Sequence, residues 1–390
     1  MNKIQTLNKI SPIGLDLFPR DEYEIASEIP NPDAVVLRSF KMHDMDLPSS
    51  LKAVARAGAG VNNIPIEKCS EKGIVVFNTP GANANSVKEL VLMSLFLSSR
   101  KVVDGIVWAK SLIGQGAEVP KLIEKGKSDY AGPEIKGKKL GVIGLGAIGV
   151  MVANDAVALG MDVTGFDPFL SVDAAWGMSR AVHKAVSLDT LIADSDYITI
   201  HVPLNDKTKG LINNDKFALM KKGVRLLNFS RGGLVNNEHL KVALTDGTVA
   251  TYVTDFPDED MLKEPHVISC PHLGASTPEA EDNCAIMAVN QVRDYLELGN
   301  IKNSVNFPEC QMVPSGQYRL VVANHNIPNM VGQITTALAG SEINITDLLN
   351  KSRGEVAYNI IDVDGEVTDV QLEAIRAIKG VIMTRLIKIG

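Results

Sequence analysis

Only four cysteines occur in 390 residues, Cys69, Cys270, Cys284 and Cys310, and no two form a C-x-x-C pair. That scatter fits reduced thiols better than a disulfide frame or a zinc knot, and no metal site is expected. Long hydrophobic runs are also missing. The longest, Leu90 to Leu97, is broken by Ser94 and is too short to span a bilayer, and the opening MNKIQTLNKI holds no apolar stretch of signal length. The expectation is a cytoplasmic protein without membrane contact. Positive charge is in deficit, with 39 Lys and Arg against 46 Asp and Glu, net −7. No basic field exists to hold nucleic acid or an anionic membrane, although local arginines can still meet a small anion. Low-complexity tracts and internal repeats are absent too.

What is present is a 45% hydrophobic chain long enough for two or three cores. From the start to residue 98, short β-branched runs (VVLR at 35–38, AVARAG at 53–58, IVVF at 74–77) alternate with amphipathic stretches, and a long apolar helix begins near Asn85. This pattern reads as an α/β layer with a parallel sheet. A second series starts at Leu140: KLGVIG, DVTGFD, YITIHVP, VRLLNFS, TVATYVTD and HVISC, separated by helical patterns. Six such strands predict a doubly wound sheet. Thr277, Pro278 and Glu279 then supply a cap, a first-turn proline and an acid for a helix running to about Leu298. Residues 302–316 are turn-rich and read as a linker, and 317–390 spell a ferredoxin-like βαββαβ unit. The domains expected are 1–98 with 285–308, 99–284, and 317–390.

Gly144, Gly146 and Gly149 form G-L-G-A-I-G between an apolar strand and a helix. The first glycine permits the turn, the second lets backbone approach a pyrophosphate, and the third lets helix pack on strand, with the helix N-terminus facing phosphate. Asp167 ends the next strand about 20 residues on, as a ribose-binding acid does. Its carboxylate accepts from both ribose hydroxyls and repels a 2′-phosphate, which favours NAD over NADP.

Three side chains fall at the C-terminal ends of strands in this second domain, where doubly wound sheets place ligands. They are Arg231 in N-F-S-R-G-G, Glu259 in D-F-P-D-E-D and His272 in C-P-H-L-G-A-S-T. Each alone is ambiguous, because a single histidine is more often structural, an arginine before two glycines is often a turn, and an acidic loop is usually just solvated. Together they suit hydride removal from a 2-hydroxy acid. An imidazole takes the hydroxyl proton, a guanidinium forks onto the carboxylate, and a carboxylate orients the imidazole.

G-L-G-A-I-G, H-V-P-L at 201–204, N-F-S-R-G-G-L-V at 228–235 and P-H-L-G-A-S-T at 271–277 together resemble the D-isomer-specific 2-hydroxyacid dehydrogenase family over residues 1 to about 308. The resemblance implies two doubly wound domains, a flavodoxin-like substrate domain and a Rossmann NAD domain, with NAD across the crevice between them. It implies that Arg231 binds the substrate, Glu259 supports His272, and His272 exchanges the proton. Ala147, Ile148, His201, Pro203, Asn228, Ser230 and Asp255 join the glycines and Asp167 at the cofactor. The family usually has D-V-F, two residues, then E-P, whereas T-D-F-P-D-E-D is one residue short. Aligning on Phe256 selects Glu259 and puts Asp255 beside the nicotinamide, and Asp260 is the alternative.

In the first domain, A-G-A-G-V-N-N at 57–63 offers backbone amides for a carboxylate at Ala59, Gly60 and Val61, with Arg38, Ser39 and Arg56 nearby. With its trailing ACT-like domain, the whole arrangement resembles the members of the family that oxidise 3-phospho-D-glycerate to 3-phosphohydroxypyruvate, opening serine synthesis. ACT domains bind amino acids between paired copies, which implies a homo-oligomer (dimer or tetramer) and a serine effector at Asn324, Asn326 and Asn344, with Asn329 standing where the pattern has glycine. Two other readings stay open: a related dehydrogenase of glycerate or lactate type, and a non-catalytic dinucleotide-sensing regulator.

Overall fold

The computed structural model describes residues 1–340 and 342–389. They form two compact units, Met1–Asn83 with Pro278–Gly390, and Ala84–Thr277. None of the helices among the described residues is long and apolar enough to cross a membrane, and the four cysteines are unpaired.

The first unit is built on a parallel sheet of β1 (Asn2–Leu7), β2 (Tyr23–Ala26), β3 (Ala34–Leu37), β4 (Ala53–Arg56) and β5 (Val75–Phe77), in the order β2-β1-β3-β4-β5. β3 and β5 are buried along their whole length, as expected of parallel strands covered on both faces. β1 and β2 escape the sequence reading because β1 is largely polar and β2 is only four residues long with a charged residue in it. Only Ile4 of β1 is buried, yet the strand pairs on both edges. The helix Pro278–Leu298 begins where the capping signals put it, with Glu279 and Glu281 in its first turn. It buries Ala285, Ala288, Val289 and Val292 at 3–4-residue spacing in the core shared with β3 to β5. The turn-rich stretch 302–316 is irregular as read, but packed: Phe307 is buried, and Asn306 Oδ1 accepts from the Val76 amide at 2.8 Å.

Residues 318–388 form the βαββαβ unit anticipated from the pattern. β13 (Tyr318–His325), β14 (Ile345–Arg353), β15 (Val356–Val363) and β16 (Val381–Lys388) pair antiparallel in the order β14-β15-β13-β16. By contacts this segment belongs to the first unit, and its side chains close the C-terminus of the 278–298 helix. Arg319 Nη1 donates to the Leu298 carbonyl (2.9 Å), Arg385 to those of Tyr295 (2.5 Å) and Leu296 (3.3 Å), and Tyr358 Oη to that of Gly299 (2.8 Å). These carbonyls cluster at the end of the helix, where the last ones lack intrahelical donors, and two cations sit at its negative pole. Arg319 itself is fully buried in a bidentate pair with Asp362, at 2.6 and 2.9 Å.

The second unit holds seven parallel strands: β6 (Lys139–Ile143), β7 (Asp162–Phe166), β8 (His183–Lys184), β9 (Tyr197–Ile200), β10 (Val224–Asn228), β11 (Val249–Thr254) and β12 (Val267–Ser269). Their order is β12-β11-β10-β9-β6-β7-β8, so the winding reverses between β6 and β9. Six of them follow the sequence reading. The seventh, β8, is two exposed residues at the sheet edge and carries no apolar signal. The helix Ala84–Ser99 was expected to close the first domain at residue 98, but it packs Val87, Val91 and Leu95 with Leu140, Val142 and Leu227 of the second sheet. Chain crossings therefore fall at 83/84 and 277/278 rather than 98/99 and 284/285, because the apolar face of that helix finds its partner on the later sheet.

Candidate active site

At the switch point of the second sheet, β6 ends at Ile143 and the helix Ala147–Ala158 begins four residues on. Gly144 takes φ +90°, and a Cβ there would lie 2.5 Å from the His201 carbonyl oxygen. A Cβ on Gly149 would lie 1.9 Å from the Gly144 carbonyl oxygen, so both glycines are sterically required. Gly146 is exposed with nothing near its missing side chain, and Ala147 is exposed behind it. The first-turn amides, Ile148 included, form an open cradle for an anion. Asp167 locks this loop. One oxygen accepts from the Leu145 amide and the other from the Phe169 amide, both at 2.8 Å. Each oxygen keeps a lone pair for a ribose hydroxyl.

His201 follows β9. Its Nε2 lies 2.9 Å from Thr199 Oγ1, while its Nδ1 is buried without a partner. Burial pushes its pKa down to about 3, so the ring is neutral near pH 7 and unsuited to store a proton. Beside it, the Pro203 carbonyl accepts from Thr208 Oγ1 at 2.6 Å. At the end of β10, Asn228 Nδ2 donates to the Arg231 carbonyl (2.9 Å), Asn228 Oδ1 accepts from the Ser230 amide (3.2 Å), and Ser230 Oγ donates to the Ile200 carbonyl (2.6 Å). This net holds the loop that presents Arg231, whose side chain stays exposed and donates to the Ser230 carbonyl at 2.7 Å.

Asp255, directly after β11, is the unusual group. It is 2% exposed, and neither oxygen accepts a well-formed hydrogen bond. Burial holds its carboxyl above the usual carboxylate range, opposed by His272, by the nearby amides of Gly274 and Asp255 itself, and by Arg231. His272 is exposed, and its ring packs on Phe256 with centroids 4.5 Å apart. The sheet edge thus places Asp255 within the fields of His272 and Arg231.

Glu259, the expected support of His272, faces solvent instead. Asp258 caps the short helix Glu259–Lys263 by accepting from the Met261 amide (2.8 Å), and this turns Glu259 outward. There its side chain is 85% exposed and pairs with Lys263 at 2.9 Å. The alternative, Asp260, pairs with Lys241 at 3.0 Å. The buried carboxylate bearing on the imidazole is Asp255, and Phe256 packs beside the ring. Neither role was legible, because the sequence signal there was a spacing one residue short.

In the first unit, Arg38 and Arg56 are neighbours: Arg56 Nε donates to the Arg38 carbonyl at 3.0 Å, and Asn63 Nδ2 donates to the same oxygen at 3.2 Å. Ser39 is exposed, and its amide donates to Asn8 Oδ1 at 3.1 Å. Ala59 is exposed and its carbonyl accepts from Asn78 Nδ2 at 2.6 Å, while Gly60 and Val61 continue the loop half-buried. Glu281, a first-turn acid that no motif singles out, pairs with Arg38 at 2.5 Å.

The three asparagines of the C-terminal unit do not meet within one chain. Asn324 is buried, its Oδ1 accepting from Asn359 at 2.7 Å, and Asn326 donates to the Gly354 carbonyl at 3.1 Å. Asn344 donates to Asp364 at 3.0 Å, at the opposite end of β13, about 20 Å away by strand rise. Asn329 adopts φ +67° as the cap residue of the helix Met330–Ala339, so asparagine supplies the left-handed turn that glycine otherwise would.

The family model for the D-isomer specific 2-hydroxyacid dehydrogenase, NAD binding domain, matches residues 104–274. A D-3-phosphoglycerate dehydrogenase of Archaeoglobus fulgidus is 33% identical over 333 residues, 82% of this chain and 59% of the relative. A hydroxypyruvate reductase of Thermotoga maritima is 35% identical over 305 residues, 73% of this chain and 94% of the relative. The solved NAD+-bound 3-phosphoglycerate dehydrogenase of Entamoeba histolytica shares the fold, with a TM-score of 0.58 at 24% identity over 78% of this chain and 98% of that one. The chain spans about three fifths of the length of the D-3-phosphoglycerate dehydrogenases it matches in A. fulgidus, Methanocaldococcus jannaschii and Bacillus subtilis.

Proposed function

The chain belongs to the D-isomer-specific 2-hydroxyacid dehydrogenase family, and from that premise we propose that it oxidises 3-phospho-D-glycerate to 3-phosphohydroxypyruvate with NAD, the opening step of serine biosynthesis. The observation that carries the reading is Asp255, buried without a well-formed hydrogen bond in the joint field of His272 and Arg231 at the C-terminal edge of the second sheet. Such a group is costly to the fold and is retained where chemistry uses it.

The residues fit the cofactor. Gly144, Gly146, Ala147, Ile148 and Gly149 cradle the pyrophosphate and Asp167 the ribose, with His201, Pro203, Asn228 and Ser230 shaping the remaining wall. When bound, NAD supplies the hydride acceptor. The chain's own residues do the rest. Arg231 holds the carboxylate and polarises the oxygen at C2, drawing charge toward its guanidinium. His272 takes the proton from that hydroxyl oxygen. Asp255 stabilises the resulting imidazolium, in the role first expected of Glu259. Arg38, Ser39, Arg56 and the 59–61 loop hold the acidic groups of the substrate.

Several features around this chemistry belong to the same proposal. The helix Val102–Ser111 buries no residue and exposes Val102, Val103, Ile106 and Val107 along one stripe, which supports a homo-oligomer. The C-terminal unit is the regulatory module, and serine is its effector, held between paired copies. The net charge of −7 offers no basic field for a polyanion, which supports a cytoplasmic enzyme that engages neither nucleic acid nor an anionic membrane surface.

A second reading, action on unphosphorylated acids such as glycerate or lactate, is favoured by the Arg38–Glu281 pair, which neutralises one candidate phosphate contact. The test follows NADH absorbance with 3-phosphoglycerate, glycerate and lactate, with and without serine, in wild type and His272→Ala. Preference for 3-phosphoglycerate, with turnover down about 10²–10⁴-fold in the variant, is expected. Preference for the other acids selects the second reading, and absence of NADH with any of them points to a dinucleotide-sensing regulator.

A further inference from the structure

Arg38 is already engaged. Its Nη1 lies 2.5 Å from Glu281 Oε1, and both side chains are partly open to solvent. Glu281 projects from the first turn of the helix Pro278–Leu298, where the helix dipole favours a carboxylate. Arg56 is bonded to the Arg38 backbone at 3.0 Å, and Cys284, three residues after Glu281, feels Arg38, Arg56 and Glu281 together. The anion-binding corner of the first unit therefore carries its own counter-ion.

We propose that Glu281 is a charge-specificity residue, the internal carboxylate that an incoming substrate must displace from Arg38. The inference rests on the reading that Arg38 receives the substrate's distal acidic group. A solvent-exposed ion pair contributes little net stability, so displacing it is easy for a competing anion. Coulomb attraction scales with charge, so a phosphate dianion competes for the guanidinium better than a single carboxylate does. An uncharged hydroxymethyl or methyl end cannot compete and leaves the pair intact. Glu281 thus lowers affinity for every anionic tail while sparing neutral ones, and the dianion overcomes that handicap by charge.

The test is steady-state kinetics on the full chain with 3-phosphoglycerate and with glycerate, comparing wild type, Glu281→Gln, Arg38→Ala and the double variant, each checked by thermal melting. Glu281→Gln is expected to lower KM for 3-phosphoglycerate about 3–10-fold, the effect of one screened charge at contact distance, with kcat and the glycerate KM unchanged. The gain should shrink at high salt and vanish in the Arg38→Ala background. A KM for 3-phosphoglycerate that stays level or rises in Glu281→Gln, while Arg38→Ala raises it, overturns the proposal and leaves Glu281 as a mere prop. If Arg38→Ala leaves both KM values unchanged, the substrate role of Arg38 fails, and the proposal fails with it.

Discussion

Asp255 is 2% exposed and neither carboxylate oxygen accepts a well-formed hydrogen bond, so Asp255→Asn should raise the stability of the protein while removing much of its activity. A buried group without a well-formed hydrogen bond is costly when neutral and more so when charged, so exchanging the carboxylate for an amide of the same shape removes the charge-burial excess, on the order of 1–3 kcal/mol. For a domain the size of the second unit, that corresponds to a melting temperature higher by roughly 2–12 °C. The pH dependence has a definite sign. Burial raises the carboxyl of Asp255 in the folded state, so its contribution to stability is fully present below the ordinary value of about 3.9 and is lost as pH rises through the folded value. Asparagine does not titrate, so the advantage of the variant should be small near the ordinary carboxyl value and grow to a plateau at neutral pH. Calorimetry across that range, beside NADH formation at neutral pH, reads both effects, with the rate expected to fall about 10²–10⁴-fold. A variant that melts lower at neutral pH, shows the same gain at every pH, or keeps its rate would refute the assignment of Asp255 as a costly functional group.

Gly149→Ala should weaken NADH binding more than about tenfold by fluorescence titration, because the new methyl would meet the Gly144 carbonyl at 1.9 Å and deform the cradle. Unchanged affinity would mean that the loop does not hold the dinucleotide. Glu259→Gln should leave turnover within about twofold, since its side chain pairs with Lys263 on the surface, where such pairs contribute little. A loss comparable to that of His272→Ala would return the role of partner to Glu259. Arg319→Leu should cost about 3–5 kcal/mol in thermal unfolding by stranding Asp362, and the double Arg319→Leu, Asp362→Leu variant should recover most of it. A single variant no less stable than the double would show that the buried pair does not anchor the C-terminal unit.

Much of this protein is written in local pattern. Apolar strands followed by helical stretches, the glycine spacing around Gly144, and the cap, proline and acid at 277–279 each depend on neighbours a few residues away, and the corresponding elements stand where the pattern put them. The placement of Arg231 and His272 in loops directly after recognisable strands was legible for the same reason. Strands such as β1 and β8 were not, because their pairing arises from sheet edges offered by distant segments rather than from their own composition.

Only the tertiary structure separates the carboxylates of this loop by environment. Asp255, Asp258, Glu259 and Asp260 are nearly equivalent as letters, but capping turns Glu259 and Asp260 to solvent while the end of β11 buries Asp255, so desolvation is the leading influence at Asp255 and the Lys241 pairing at Asp260. The same holds for Arg38 and Glu281, which are 243 positions apart in sequence and 2.5 Å apart in space. Charge and burial depend on distance through the fold, and that distance is decided by packing rather than by order along the chain.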